Sequence, residues 1–358
     1  MSDSEVARVA IVSTGARTPV GLSAPAAAAA VRAGVSAMAE HPFMVDHAGL
    51  PMVVCADPEL TPDLGGVERL LALALPSARE AIAPLLSSER ALPAAVRVFL
   101  ALPEDRPGRP NGLESRIEDR LIDALAREIH IGEVTCHASG HAAGIQCMEQ
   151  AAACIQSRES PLCLVGGVDS YLEADTLEWL DSLEQLHSES TIWGFCPGEA
   201  AGFCLLASPG MAASLSLPMP IEVLCAASAT EGNRIKTETV CTGEGLSQAF
   251  SDALIGLPTG CRVSHTICDM NGEPYRGNEY GFAMLRSPGK FDDQADIETP
   301  ADCWGDVGAA SAPLFVTLAV FGARKRYAPG PLTFVWASSE GGLRAAALLR
   351  AVAVNTGT

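Results

Sequence analysis

Lysine and the aromatic residues are scarce in this chain. Phe, Trp and Tyr make up 5% of its 358 residues, and lysine stands only at positions 236, 290 and 325. Positive charge is in short supply overall: 24 Lys and Arg face 43 Asp and Glu, for a formal net charge of −19. A chain with this balance repels phosphate backbones and anionic lipid, which argues against nucleic-acid or membrane-surface binding. Long apolar runs are missing too. Leu314 to Phe321 and Ala345 to Val354 both fall short of a bilayer span. The acidic start Met1-Ser2-Asp3-Ser4-Glu5 lacks the basic opening of a signal peptide, so a cytosolic location is expected. Although there are 12 cysteines, none forms a Cys-x-x-Cys pair. Cys147, Cys154, Cys163, Cys204 and Cys225 lie in hydrophobic segments and read as buried thiols of a reducing compartment. A metal set drawn from Cys136, His137, His141 and Cys147 lacks a second knuckle, so neither metal nor cofactor is expected.

What is present is a large alanine-rich apolar fraction, 48% hydrophobic, with 33 Gly and 24 Pro. That suits a big buried core, in two domains or one duplicated one. Strand and helix patterns alternate. Residues 6–13 form a buried-type strand stopped by Gly15, and a helix follows from Pro25 to Arg32. Helical patterns recur over 70–82, 113–127 and up to Gln156, with strands over 95–102 and 162–165. After a link at 214–220 the order repeats: strand 221–226, helix 245–254, strand 262–266, a glycine-rich elbow at 305–312, a helix to Phe321 and a strand at 332–337. Each half carries an elbow, a small-residue helix and a strand leading to Gly-Gly, the mark of a duplicated unit with halves 1–213 and 214–358.

Two motifs are more specific. Leu162-Cys163-Leu164-Val165-Gly166-Gly167-Val168-Asp169 is a strand ending in paired glycines. Downstream, Gly194-Phe195-Cys196-Pro197-Gly198-Glu199-Ala200-Ala201-Gly202 opens another hydrophobic strand. Together with Thr18-Pro19-Val20-Gly21 they resemble the β-ketoacyl synthases, a branch of the thiolase-like condensing enzymes. The resemblance implies an α/β chain of thiolase-like fold, in five layers α/β/α/β/α. The helices 142–156 and 307–321 would be buried at its centre, with a dimer formed through a sheet edge beside the first elbow.

It also implies a site. Counting back from Gly166-Gly167 places His141 where the family carries its nucleophilic cysteine. A slip of four residues would place His137 there, and Cys136 reads as a core thiol on the entering strand. The first family histidine begins a His-Gly-Thr segment, which here maps onto His265-Thr266-Ile267-Cys268-Asp269-Met270-Asn271-Gly272-Glu273. The second maps onto Asp306, and the family's lysine position holds Ala301. The family's Phe-Gly-Gly gate becomes Ser339-Glu340-Gly341-Gly342. The expected catalytic set is therefore His141, His265 and Asp306 around one pocket. Cys136, Cys268, Glu340, Gly341 and Gly342 stand near the cleft.

An imidazole at a helix N-terminus is held toward its neutral form, and an acyl-imidazole hydrolyses too readily to wait for a second substrate. An ionised Asp306 would repel a malonyl carboxylate and a developing enolate. Normal decarboxylative condensation is thus not expected. Three readings follow: a non-catalytic homologue comparable to a chain-length factor, an altered acyltransferase or thioester hydrolase, or a plain interaction protein. An acyl carrier protein or acyl-CoA is the implied partner, together with a second copy of the chain or an active synthase. Arg324-Lys325-Arg326, the one compact basic run, reads as a helix C-terminus or a carrier contact.

Overall fold

The computed structural model describes residues 8–88, 95–234 and 236–352, with the side chains of 293–295 also left aside. The first half runs β1 (Val9–Arg17), α1 (Ala24–Arg32), β2 (Ala39–Val45), β3 (Pro51–Val54), α2 (Gly66–Leu86), β4 (Val96–Ala101) and α3 (Leu113–Leu125). It continues with β5 (Ile131–His137), α4 (Ala143–Gln156), β6 (Leu162–Ser170), α5 (Ala174–Ser182), β7 (Glu199–Ala207) and α6 (Pro209–Ser214). The second half runs β8 (Ile221–Thr230), α7 (Glu244–Ala253), β9 (Val263–Cys268), α8 (Pro274–Leu285) and β10 (Phe291–Glu298). It ends with α9 (Ala301–Trp304), α10 (Ser311–Lys325), β11 (Leu332–Ser338) and β12 (Leu343–Ala351).

Ten strands form one mixed sheet in the order β10-β9-β11-β12-β8-β1-β7-β6-β4-β5, and β2 pairs with β3 alone. Numbering the five strands of each half from its start gives the order three-two-four-five-one twice. The halves meet where their first strands pair antiparallel, Val9 with Val223 and Ile11 with Ile221. α4 packs on β6, β4, β8 and β12, while α10 packs on β7, β1 and β11. These two helices therefore lie between the half-sheets, with α2 and α3 outside one and α7 and α8 outside the other, which completes the five layers. Residues 311–320 of α10 are buried on every face, as its alanine-rich and charge-poor sequence requires. Among the described residues no helix is long and apolar enough to cross a membrane.

The motif residues hold this frame together. Gly166 lies under the Phe203 ring, and a side chain on Gly167 would run into the Ala309 carbonyl of the second elbow. The motif acid, Glu199, is fully buried and takes a bidentate pair from Arg69 of α2, Nε at 2.5 Å and Nη2 at 2.6 Å. It also accepts from Asp57 N and Ser170 Oγ, both at 2.9 Å, so its role is structural. Gly15 does not stop the first strand. β1 continues to Arg17, still paired with β7, because the missing side chain lets the Ser77 carbonyl of α2 come close. Val6 and Ala7, the expected start of that strand, lie outside the described residues.

Gly167→Ala should cost about 1–3 kcal/mol by overpacking the contact between β6 and the second elbow. A thermal melt checks it, and an unchanged midpoint would show that the elbow can retreat.

Candidate active-site cleft

Both elbows are built alike. Gly140 (φ +66°) and Gly308 (φ +49°) take left-handed conformations that favour glycine. Each opens a single 3-10 turn, Gly140–Ala142 and Gly308–Ala310, which leads into α4 and α10 respectively. The helices cross where Gly144 meets Ala312 and Pro313, and this close approach brings the two turns together. Across the gap His141 Nε2 lies 2.7 Å from Asp306 Oδ1. Both side chains are buried, at 5% and 3% exposure.

Asp306 is held from several sides. Oδ1 also accepts from Gly308 N at 2.9 Å, and Oδ2 accepts from Asn271 Nδ2 at 2.6 Å. Arg276 of α8 is buried beside it. Nη1 donates to Asp269 Oδ2 at 2.5 Å and to the Ser338 carbonyl at 2.8 Å, while Nη2 stands 4.0 Å from Asp306 Oδ2. Burial works against the Asp306 carboxylate, yet the charge and hydrogen bond of His141, with help from Arg276 and Gly308 N–H, hold it well below the usual carboxylate range. Burial likewise opposes protonation of His141, as does Arg276, but Asp306 outweighs both and raises the imidazole above its ordinary value. Asp306 thus works against the neutral form that the helix N-terminus favours. The helix N-terminus is the weaker influence once a carboxylate stands at hydrogen-bond distance.

Several backbone amides of the elbows are engaged as well. Ala142 N donates to Ser339 Oγ at 2.9 Å, and Ser339 Oγ in turn donates to the Ser139 carbonyl at 2.5 Å. Ala309 N donates to Asp169 Oδ2 at 2.9 Å. These donors are already partnered and so are not free to receive an oxyanion.

His141 lines a cleft of about 420 Å³ together with Glu104, Arg106, Asp169, Tyr171, Trp179, Phe195, Glu340 and Gly341. Glu104 accepts from Gly341 N at 2.9 Å, and burial pushes its carboxyl up. Lys236 bridges Glu340 Oε1 at 2.6 Å and Glu273 Oε1 at 3.0 Å.

The expected set divides on this geometry. His141 and Asp306 meet, and Glu340 and Gly341 stand on the cleft wall. His265 does not join them. It sits within β9 with Nε2 3.2 Å from Glu298 Oε2, and the chain brings Asp269 and Asn271 to the site instead, four and six residues further on. The register taken from the His-starting motif is therefore too early for the residues that face Asp306. Cys268 is buried and shares only a small void with Asp269 and Asp306. Cys136 lies off the cleft on β5, its Sγ 3.9 Å from the Glu114 carbonyl, and burial, with Glu118 and Glu114 adding, pushes its thiol up to about 12. His137 bonds Gln150 Oε1 at 2.9 Å, and Gly342 (φ +110°) closes a turn with its carbonyl on Glu231 N. Arg276, Asn271 and Ser339 were not foreseen as site residues. The one available signal was the density of polar residues between Asp269 and Arg276 directly after an apolar strand.

No protein-family model matches the sequence, and no curated protein does. Solved structures do match. The type II PKS complex AntDE:AntF, an acyl-carrier protein with its ketosynthase bound to the hexaketide, aligns at TM-score 0.82 and 14% identity, over 98% of this chain and 100% of that one. The ishigamide ketosynthase/chain length factor aligns at 0.79 and 17% identity, over 97% and 99%. The ketosynthase from module 6 of the bacillaene synthase of Bacillus subtilis 168 aligns at 0.78 and 13% identity, over 97% of this chain and 72% of that one. The chain thus has the thiolase-like fold of the ketosynthases.

Proposed function

We propose that this protein is a divergent β-ketoacyl synthase homologue that holds acyl thioesters of fatty acid or polyketide-type metabolism without condensing them, in the manner of a chain-length-factor subunit. One observation supports the reading: the imidazole of His141, taken here as the nucleophile position, is bound to buried Asp306 at 2.7 Å. An imidazole whose Nε2 is engaged by a buried carboxylate, and whose pKa is raised by it, is poorly suited to attack a thioester. The elbow amide Ala142 N, engaged by Ser339 Oγ, supports the same conclusion. The substrate would arrive on an acyl carrier protein or coenzyme A. The two thiolase-like halves, 1–213 and 214–358, would act as one body, paired through the β5 edge with a second copy or with an active synthase.

Intact-mass spectrometry after incubation with a panel of acyl thioesters tests this. No acyl adduct and no hydrolysis are expected, and cerulenin-type inhibitors should leave the elbow unlabelled. Rapid stoichiometric modification of Cys136 would restore that thiol as the nucleophile and overturn the reading.

A second reading rests on the other ring nitrogen. His141 Nδ1 has no protein partner among the described residues, and the residue lines the cleft. A ring oriented by Asp306 with one nitrogen on the cleft is the arrangement of a base that activates water against a thioester. Such activity would rise with pH through the raised His141 pKa, and His141→Ala or Asp306→Asn would abolish it.

A further inference from the structure

A second groove, of about 540 Å³, lies between α1 and the end of α10. α10 starts beside the second elbow and runs about 20 Å to Lys325, so groove and cleft stand at opposite ends of one helix. Polarity is divided along the groove. Pro25, Ala28, Ala29 and Phe321 line an apolar end. Arg32, Lys325 and Tyr327 close the other, about 10 Å further along α1. The two helices finish together there, with the Arg32 guanidinium 4.3 Å from the centre of the Tyr327 ring. Arg324 stands over the Phe321 ring at 5.7 Å, and Arg326 caps α10. Among the described residues none of these four cations has a carboxylate partner, and no acid lines the groove. Glu298, whose charge reaches Tyr327, is engaged by His265 Nε2 at 3.2 Å. The negative poles of α1 and α10 supply only about half a charge each, less than the four side chains carry. In a chain of net charge −19, this end of the groove is left positive.

We infer that this groove binds a linear carboxylate amphiphile, a free fatty acid of medium length. Its chain lies along Pro25, Ala28, Ala29 and Phe321, and its carboxylate is received between Arg32 and Lys325. The volume is that of a small-molecule site. An acidic peptide would call for cations along both rims, whereas here they gather at one end, as one head and one tail require. The inference is independent of what the cleft does.

Octanoate, octan-1-ol and acetate, titrated calorimetrically into the full chain, test it. Octanoate should bind about tenfold tighter than octan-1-ol, on the order of a single partly screened ion pair, and acetate should give no binding. Arg32→Gln and Lys325→Gln, both at exposed positions, should each weaken octanoate severalfold while leaving octan-1-ol unchanged. Ala29→Trp, also exposed, should fill the groove and remove both ligands without moving the thermal midpoint. Equal affinity for octanoate and octan-1-ol, no binding of octanoate, or octanoate binding that survives Ala29→Trp overturns the inference. Vesicles containing phosphatidylglycerol should not bind. Vesicle binding that Lys325→Gln removes would assign the cations to a lipid surface and overturn it as well.

Discussion

Asp306→Asn should destabilise the protein by about 3–5 kcal/mol near neutral pH, because it breaks a buried pair and leaves His141 either to give up its proton or to stand without a counter-charge. Burial and Arg276 both lower the His141 pKa, and Asp306 is the main influence raising it. In the variant the ring should therefore titrate below the ordinary value of about 6.5 and turn neutral. The sign of the pH dependence follows. The raised His141 pKa contributes stability that is complete below about 6.5 and is lost as pH climbs through the folded value. The depressed Asp306 pKa contributes stability that is present above about 3.9 and is lost as pH falls through the folded value. The deficit of the variant should thus be largest between those limits and smaller in alkali. Urea unfolding across pH, with the His141 ring followed by NMR, measures both parts. Equal midpoints for parent and variant at mildly acidic pH would show that the pair contributes nothing.

Arg276→Met should cost a similar amount, about 3–5 kcal/mol, with the opposite dependence on acid. Arg276 is 1% exposed and gathers Asp269, the Ser338 carbonyl and Asp306 around one guanidinium. Methionine fills much of the volume but leaves Asp269 with only the Ser338 N–H at 2.8 Å. Burial already raises the Asp269 pKa, and Arg276 is the largest influence opposing that rise. Without it Asp269 prefers to be protonated, and an upward-shifted carboxyl destabilises the fold only where it must ionise. The loss should therefore shrink as pH falls toward the carboxylate range. A loss that stays constant with pH would point to packing as the cause.

The frame was legible because its constraints are local. Paired glycines, an acid after Gly198 and two charge-poor alanine helices each announce a close approach that few other residues allow, and the structure places them accordingly. The site was legible only in part. His141 and Asp306 could be placed because each follows a glycine elbow of countable register. The charge state of His141 could not, since it depends on a contact across 165 residues of sequence. His265 misled because a histidine near a strand end looks alike in either register. Only its pairing with Glu298 of β10, a strand the sequence did not announce, shows that it is engaged elsewhere. Arg276 was hidden for a related reason: a charged residue on a helix normally reads as solvent-facing, and nothing local tells that Asp269, the Ser338 carbonyl and Asp306 converge on it.

The antiparallel meeting of β1 with β8 is the arrangement that a two-fold axis produces when a strand faces its own copy. In a true symmetric pair such a contact would occur twice, residue i on j and j on i. Here it occurs once: counted from Gly140 and Gly308, the places that answer to His141 and Asp306 in the other elbow hold Ala309 and Ala138. Carrying both copies on one polypeptide lets one elbow keep the histidine and the other the carboxylate.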